Sequence, residues 1–167
     1  PRGNRKRITA FLVDVGENGF EIGIGTKCVS YRGYHAFRLN FSDVRLGPNQ
    51  ILGEEGKGLE LSGKWLGMGR IWVGASCCGK AERLFGLAKD WASTRKQFGQ
   101  PIGKFQATGF KLADIAIELR AADLMVNDAV RRANEGKMSD ADAAMVKVYC
   151  SETVSYTHLR AHETPVN

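Results

Sequence analysis

Residues 93 to 106 read Ser93-Thr94-Arg95-Lys96-Gln97-Phe98-Gly99-Gln100-Pro101-Ile102-Gly103-Lys104-Phe105-Gln106, a stretch that mixes cations, amides and aromatic rings. A guanidinium binds a phosphate or pyrophosphate through two parallel hydrogen bonds. An aromatic ring packs on a purine, and a glutamine amide donates and accepts at once. A nucleotide cofactor asks for that combination. The competing reading is a solvated polar turn, because connecting loops often have such a composition.

Arg70 is the second candidate. It is a cation inside an otherwise apolar, glycine-rich segment, where an unpaired charge is expensive to bury. It either meets an anionic ligand, extends its head to solvent, or pairs with a carboxylate such as Glu60. Three other patterns have blander readings. Gly53-x-x-Gly56-x-Gly58 lacks the Gly-Lys-Ser/Thr ending of a phosphate loop and reads as a connection. Cys77 and Cys78, adjacent in a helix, cannot bond to each other without distorting it and read as small packing residues. Trp65, Trp72 and Trp91 are spaced for core or interface packing. His158 and His162, four apart beside Glu163, mimic half a zinc site but have no matched third ligand.

These candidates need elements to hold them. Residues 8 to 44 carry strand signals. Ile8 to Val13 is β-branched and aromatic and leads to Asn18-Gly19, a pair that favours a tight hairpin turn. Phe20, Ile22 and Ile24 alternate next, followed by Thr26 to Ser30. Phe37, Leu39 and Phe41 then alternate with polar partners, the period of a sheet with one wet face. Three or four antiparallel strands fit.

From Pro48 the grammar becomes helical. Leu59, Leu66, Val73, Cys77, Leu84 and Ala88 form a stripe of one long helix ending near Trp91, interrupted by Gly63, Gly67, Gly69, Gly74 and Gly79. Each glycine costs up to about 1 kcal/mol against alanine, so a close helix or ligand approach is expected to offset it. After the loop, a second helix starts between Phe105 and Thr108 and ends at Gly136. It carries two stripes, Phe110-Ala113-Ile117-Ala121-Leu124 and Leu112-Ile115-Leu119-Ala122-Val126-Val130, which predicts burial on more than one side. Ser139-Asp140-Ala141-Asp142 resembles a capping box opening a third helix through Met145 and Val148.

Composition bounds the class. The 167 residues are 43% hydrophobic and 25% charged, which excludes wholesale disorder. No apolar run reaches the length of a membrane helix, and no apolar leader follows the first residues. Four cysteines, two of them adjacent, do not make a disulfide framework, so a reducing compartment is expected and Asn40-Phe41-Ser42 is a poor glycosylation acceptor. The net charge of +6, with Arg2, Arg5, Lys6 and Arg7 at the start, suits phosphate-bearing partners. A non-enzymatic module binding nucleic acid through that basic start is a remote alternative, because the other basic residues are scattered.

Arg95-Lys96-Gln97-Phe98-Gly99-x-Pro101-Ile102-x-x-Phe105-Gln106 resembles the flavin-binding loop of the acyl-CoA dehydrogenase family. Ile8 to Val13 looks like the family's central-domain strand, and Phe41-Ser42-Asp43-Val44-Arg45-Leu46-x-Pro48 resembles its F-x-D-V-x-V-P segment. Ile51-Leu52-Gly53-Glu54-Glu55-Gly56-x-Gly58 and Leu66-x-x-Gly69-Arg70 follow in the family's order. Phe110-Lys111-Leu112-Ala113-Asp114 and Ala143-Ala144-Met145-Val146-Lys147 resemble its F-x-L-A-D and A-x-M-x-K. The resemblance covers roughly residues 8 to 154.

The resemblance implies a fragment of α+β class: an antiparallel β segment from the end of a β-barrel-like domain, followed by long antiparallel helices of an incomplete four-helix bundle. Residues 1–50 would close the central β domain, residues 51–156 would belong to the helical bundle, and 157–167 would be a non-native tail similar to translated sequencing-adapter read-through. The implied reaction is α,β-dehydrogenation of an acyl-CoA thioester to the enoyl-CoA, with hydride passing to FAD. An oxidase or another flavoprotein of the same fold is the alternative. By resemblance Arg95, Gln97, Phe98 and Gln106 contact the FAD of a neighbouring subunit in a homodimer or homotetramer, and Arg70 contacts acyl-CoA. Gly67 stands where many members carry Asp or Asn as a second CoA contact. The catalytic glutamate is expected outside this chain, since Gly69 fills the position where a few members carry it, so the fragment alone should be inert. An electron-transfer flavoprotein or similar acceptor, no nucleic acid, no membrane span, and a bacterial cytoplasm or mitochondrial matrix complete the implied setting.

Overall fold

The computed structural model describes residues 8–28, 33 and 35–162, with side chains as far as His158. The basic run Arg2 to Arg7, Val29 and Ser30 at the end of the expected strand from Thr26, and the last five residues lie outside the described set. Two compact units divide the chain, Pro1–Ser62 and Gly63–Asn167.

The first unit holds β1 (Ala10–Phe11), β2 (Phe20–Thr26), β3 (Ala36–Phe41), a single turn of 3-10 helix over Pro48–Gln50, and β4 (Ile51–Leu52). β2 and β3 pair antiparallel from Phe20↔Phe41 to Thr26↔Ala36, with an irregularity between Ile22 and Gly25. The Phe20 and Phe41 rings stack at 4.9 Å. The Asn18-Gly19 turn forms: the Phe20 N–H donates to the Glu17 carbonyl at 3.0 Å, and Gly19 adopts φ +85. A side chain at Gly19 would run into the Ser42 carbonyl, so glycine is required there.

The strands around that turn differ from the expected hairpin. Ile8 to Val13 contributes only β1, which pairs antiparallel with β4 (Ala10↔Leu52, Phe11↔Ile51) instead of with β2. The Leu12 N–H extends the pairing to the Gln50 carbonyl at 2.8 Å. A turn dictates its own four residues, whereas strand partners depend on contacts far along the chain. The alternation in β3 is present, yet all six of its residues are exposed, even Phe41 under its stack with Phe20.

The second unit is helical: α1 (Gly58–Thr94, which begins in the first unit), a short hairpin β5 (Lys96–Gln97) and β6 (Gln100–Pro101), a 3-10 turn over Ile102–Lys104, α2 (Gln106–Asn134) and α3 (Asp140–His162). Antiparallel strands followed by long helices give the expected α+β class. No helix among the described residues is long and apolar enough to cross a membrane. One core joins the three helices, built from Ile71, Ala122, Val126, Ala129, Ala143, Val146 and Cys150, with Cys77, Cys78 and Met138 packed against it.

The buried faces correct several expected stripes. On α1 the core side runs through Gly67, Ile71, Gly74, Ala81, Ala88 and Ala92, whereas Leu59 and Leu66 are exposed. Small residues face the neighbours because they let helix axes approach, and the large residues between them point elsewhere. On α2 the stripe through Ile115, Ala122 and Val126 is buried, while Phe110, Ile117 and Leu124 are exposed. On α3 the buried residues are Ala143, Val146, Cys150, Thr153 and Thr157, and Met145 and Val148 face out. Trp65, Trp72 and Trp91 are all exposed and join no core.

Both ends of the α2–α3 connection are sealed. Gly136 (φ +67) lets its own N–H reach the Ala133 carbonyl at 3.0 Å and the Lys137 N–H reach the Arg132 carbonyl at 2.8 Å, a Schellman ending. Ser139 then closes the capping box: its N–H donates to Asp142 Oδ2 at 2.9 Å, and the Asp142 N–H donates to Ser139 Oγ at 3.1 Å. The Ser139 hydroxyl and N–H, with Arg132 farther off, hold the Asp142 carboxyl below its ordinary 3.8. That contribution is complete above the ordinary value and fades as pH falls through the lower folded one. Ser139→Ala should cost about 1 kcal/mol at neutral pH, and less in acid. Thermal unfolding followed by circular dichroism at several pH values checks both.

Candidate functional site

The loop between α1 and α2 is a built structure. α1 ends at Thr94, whose hydroxyl donates to the Asp90 carbonyl at 2.8 Å. β5 and β6 pair as Lys96↔Pro101 and Gln97↔Gln100, leaving only Phe98 and Gly99 to reverse the chain. Both take positive φ, 50 and 81, the left-handed pair that a two-residue hairpin of this twist requires. Glycine accepts that conformation freely. Phenylalanine does so at a cost and holds its ring 93% exposed, with an edge-on contact to Phe105 at 6.2 Å.

The base of the hairpin is anchored. The Ile102 N–H donates to the Arg95 carbonyl at 2.8 Å, and the Ile102 side chain is 3% exposed. A Cβ on Gly103 would lie 3.0 Å from the Ala92 carbonyl, so glycine lets the 3-10 turn after β6 press against the end of α1. Arg95 keeps an exposed side chain whose guanidinium lies 6.0 Å from the centre of the Trp91 ring. This is a cation–π contact one helical turn away, which preorients the group and leaves its N–H fork exposed. Gln97 is half-buried and Gln106 is exposed at the first position of α2. Sequence reading missed Trp91 as a partner of Arg95, though a Trp four residues before an Arg on a helix was the available signal.

Arg70 lies on α1 and is half-buried, with no ion pair among the described residues. Gly67, one turn earlier, is buried, and a Cβ there would meet the end of the Met138 side chain at 3.2 Å. Gly69 has open space around it. Arg70 lies 24 residues before the end of α1 at Thr94, so about 37 Å of helix at roughly 1.5 Å per residue, counted to Arg95 just beyond that end, separates the two arginines. The hairpin and the start of α2 carry Arg95, Gln97, Phe98 and Gln106 on one short connection, and the length of α1 holds Arg70 apart from it. Among the described residues no His, Cys, Asp and Glu cluster could hold a metal ion.

The family model for the acyl-CoA dehydrogenase C-terminal domain matches residues 56–164, well over half of the chain. A short-chain-specific acyl-CoA dehydrogenase of Megasphaera elsdenii is 37% identical over 145 residues, which cover 87% of this chain and 38% of that protein. The solved structure of butyryl-CoA dehydrogenase from the same organism superimposes with a TM-score of 0.87 at 34% identity, covering 96% of this chain and 42% of that one. A prolyl acyl carrier protein oxidase gives a TM-score of 0.88 at 26% identity, covering 94% of this chain and 42% of that one. The chain spans about two-fifths of the length of these proteins.

Proposed function

Because the chain belongs to the acyl-CoA dehydrogenase family, we propose that it is part of an FAD-dependent enzyme that oxidises an acyl-CoA thioester at its α and β carbons to the enoyl-CoA. The observation that carries this reading is the preformed hairpin between α1 and α2. It holds a guanidinium on an indole face and an aromatic ring at its tip, with two amides close in sequence. Those groups fit a dinucleotide: Arg95 would grip the pyrophosphate, Phe98 would pack on the adenine side, and Gln97 and Gln106 would hydrogen-bond the ribityl and phosphate region. When bound, the flavin would accept the hydride. This chain's own part is to bind and orient.

Arg70 would bind the CoA portion of the substrate. Its distance of about 37 Å along α1 from Arg95 supports a division in which the hairpin serves the FAD of a neighbouring subunit. Residues 1–50 would close the central β domain, 51–156 would begin the bundle, and 157–167 would be a non-native tail. A homodimer or homotetramer, a bacterial cytoplasm or mitochondrial matrix, a role in fatty acid β-oxidation, and an electron-transfer flavoprotein as acceptor complete the proposal. Likeness to an acyl carrier protein oxidase supports a second reading, an oxidase that uses the same flavin loop with another acceptor.

The purified full-length protein should show flavin absorbance that bleaches on anaerobic addition of a saturated acyl-CoA, and a protein without flavin would overturn the proposal. The 167-residue chain alone should not bleach flavin, because the carboxylate base lies outside it. Arg70→Ala in the full-length enzyme should raise KM for acyl-CoA about tenfold or more, the effect of losing a charge-assisted hydrogen bond, with a smaller change in kcat. Steady-state kinetics with a phosphate-bearing CoA thioester reads this out, and an unchanged KM would remove Arg70 from the substrate site.

A further inference from the structure

Cys78 on α1 and Cys150 on α3 lie 72 residues apart in sequence, yet their sulfur atoms are 3.8 Å apart. The contact follows from the close crossing of the two helices at Gly74, where a Cβ would lie 3.6 Å from Cys150 Sγ. Cys150 is 1% exposed, whereas Cys78 is half-buried and lines a groove of about 430 Å³ that also reaches Glu82, Arg120 and Asp123. One thiol therefore meets small solutes from solvent, and the other stands directly behind it. None of the residues proposed above to bind FAD or acyl-CoA lines this groove.

We propose that Cys78 and Cys150 form a peroxide-oxidisable pair that staples α1 to α3. Cys78 Sγ attacks a peroxide oxygen, so an S–O bond forms, the O–O bond breaks and one water leaves. Cys150 Sγ then displaces the hydroxyl of that sulfenic acid, so the S–S bond forms, the S–O bond breaks and a second water leaves. The two thiols lose two protons and two electrons, and hydrogen peroxide becomes two waters. Burial pushes Cys150 up to about 12 and Cys78 upward, with the carboxylate of Asp123 on α2 adding to the latter. Both shifts slow the attack, because the thiolate is the nucleophile, and the test therefore uses an excess of oxidant.

The test uses the full-length protein, treated with excess hydrogen peroxide, capped with N-ethylmaleimide and digested without reductant for mass spectrometry. The expected product is a Cys78–Cys150 linked peptide pair that dithiothreitol separates. Cys78→Ser should lower its yield about tenfold or more, while Cys77→Ser, one residue away on a different helical face, should leave it within about twofold. Recovery of both peptides carrying maleimide, arrest at Cys78 sulfinic acid, or a linked pair built on Cys77 would each overturn the proposal.

Discussion

Arg95→Ala in the full-length protein should weaken FAD binding about 10- to 100-fold, the equivalent of the roughly 1.5–3 kcal/mol that a hydrogen bond to a charged group contributes. Purified variant should carry much less flavin absorbance per polypeptide. The substitution leaves the scaffold alone, because Arg95 joins the hairpin through its backbone: its N–H reaches the Trp91 carbonyl at 2.9 Å and its carbonyl accepts from Ile102 at 2.8 Å. Helix content and melting temperature should therefore stay near those of the parent, which separates lost binding from lost folding. Arg95→Lys should recover only part of the affinity, since a point charge cannot reproduce the fork that matches two phosphate oxygens. Flavin occupancy equal to the parent's in Arg95→Ala would remove the role proposed for the hairpin.

Gly74→Leu should destabilise the helical unit by about 3 kcal/mol, the upper part of the range for overpacked cores. A Cβ at Gly74 would lie 2.5 Å from Val146 Cγ1 and 3.5 Å from Val126 Cγ2. Two effects oppose each other. Losing a glycine from a helix interior gains up to about 1 kcal/mol. Against it, Val146 is 2% exposed and β-branched, so its methyl cannot swing aside, and α3 must move away from α1. The clash wins. Gly74→Ala should be destabilising too, by less, because it adds only the Cβ. Urea unfolding of the full-length variants measures the order, and a Gly74→Leu variant as stable as the parent would show that α3 does not cross α1 at this point.

The same contrast explains why the glycines of α1 misled as a group. Five of them, Gly63, Gly67, Gly69, Gly74 and Gly79, look alike in sequence and predict a close approach. Only Gly67 and Gly74 meet a neighbour, while Gly63, Gly69 and Gly79 have open space around them. Close approach is a property of two elements, and the sequence of one helix records only its permission for it. The stripes on α2 show the same limit. Both were visible as periodic apolar positions, yet the described residues cover just the one through Ile115 and Ala122. A periodicity marks a face that can be buried, and which face is covered depends on what lies opposite.

What the chain determined by itself was local. The Schellman ending at Gly136, the capping box from Ser139 to Asp142 and the turn at Asn18-Gly19 all follow from residues within a few positions of one another, whereas the change to helix expected from Pro48 comes only at Gly58, after β4. The ordered motifs that resemble the acyl-CoA dehydrogenase family were legible for the same reason, and they put Arg95, Gln97, Phe98 and Gln106 on one loop. Tertiary structure alone decided that β1 pairs with β4, that Gly74 sits under Val146, that Cys78 touches Cys150, and that Phe98 is held in a left-handed turn at the hairpin tip. Hydrogen bonds and steric conflicts between nearby residues are fixed by covalent spacing, whereas contacts across tens of residues are settled only when whole elements compete for the same partner surface.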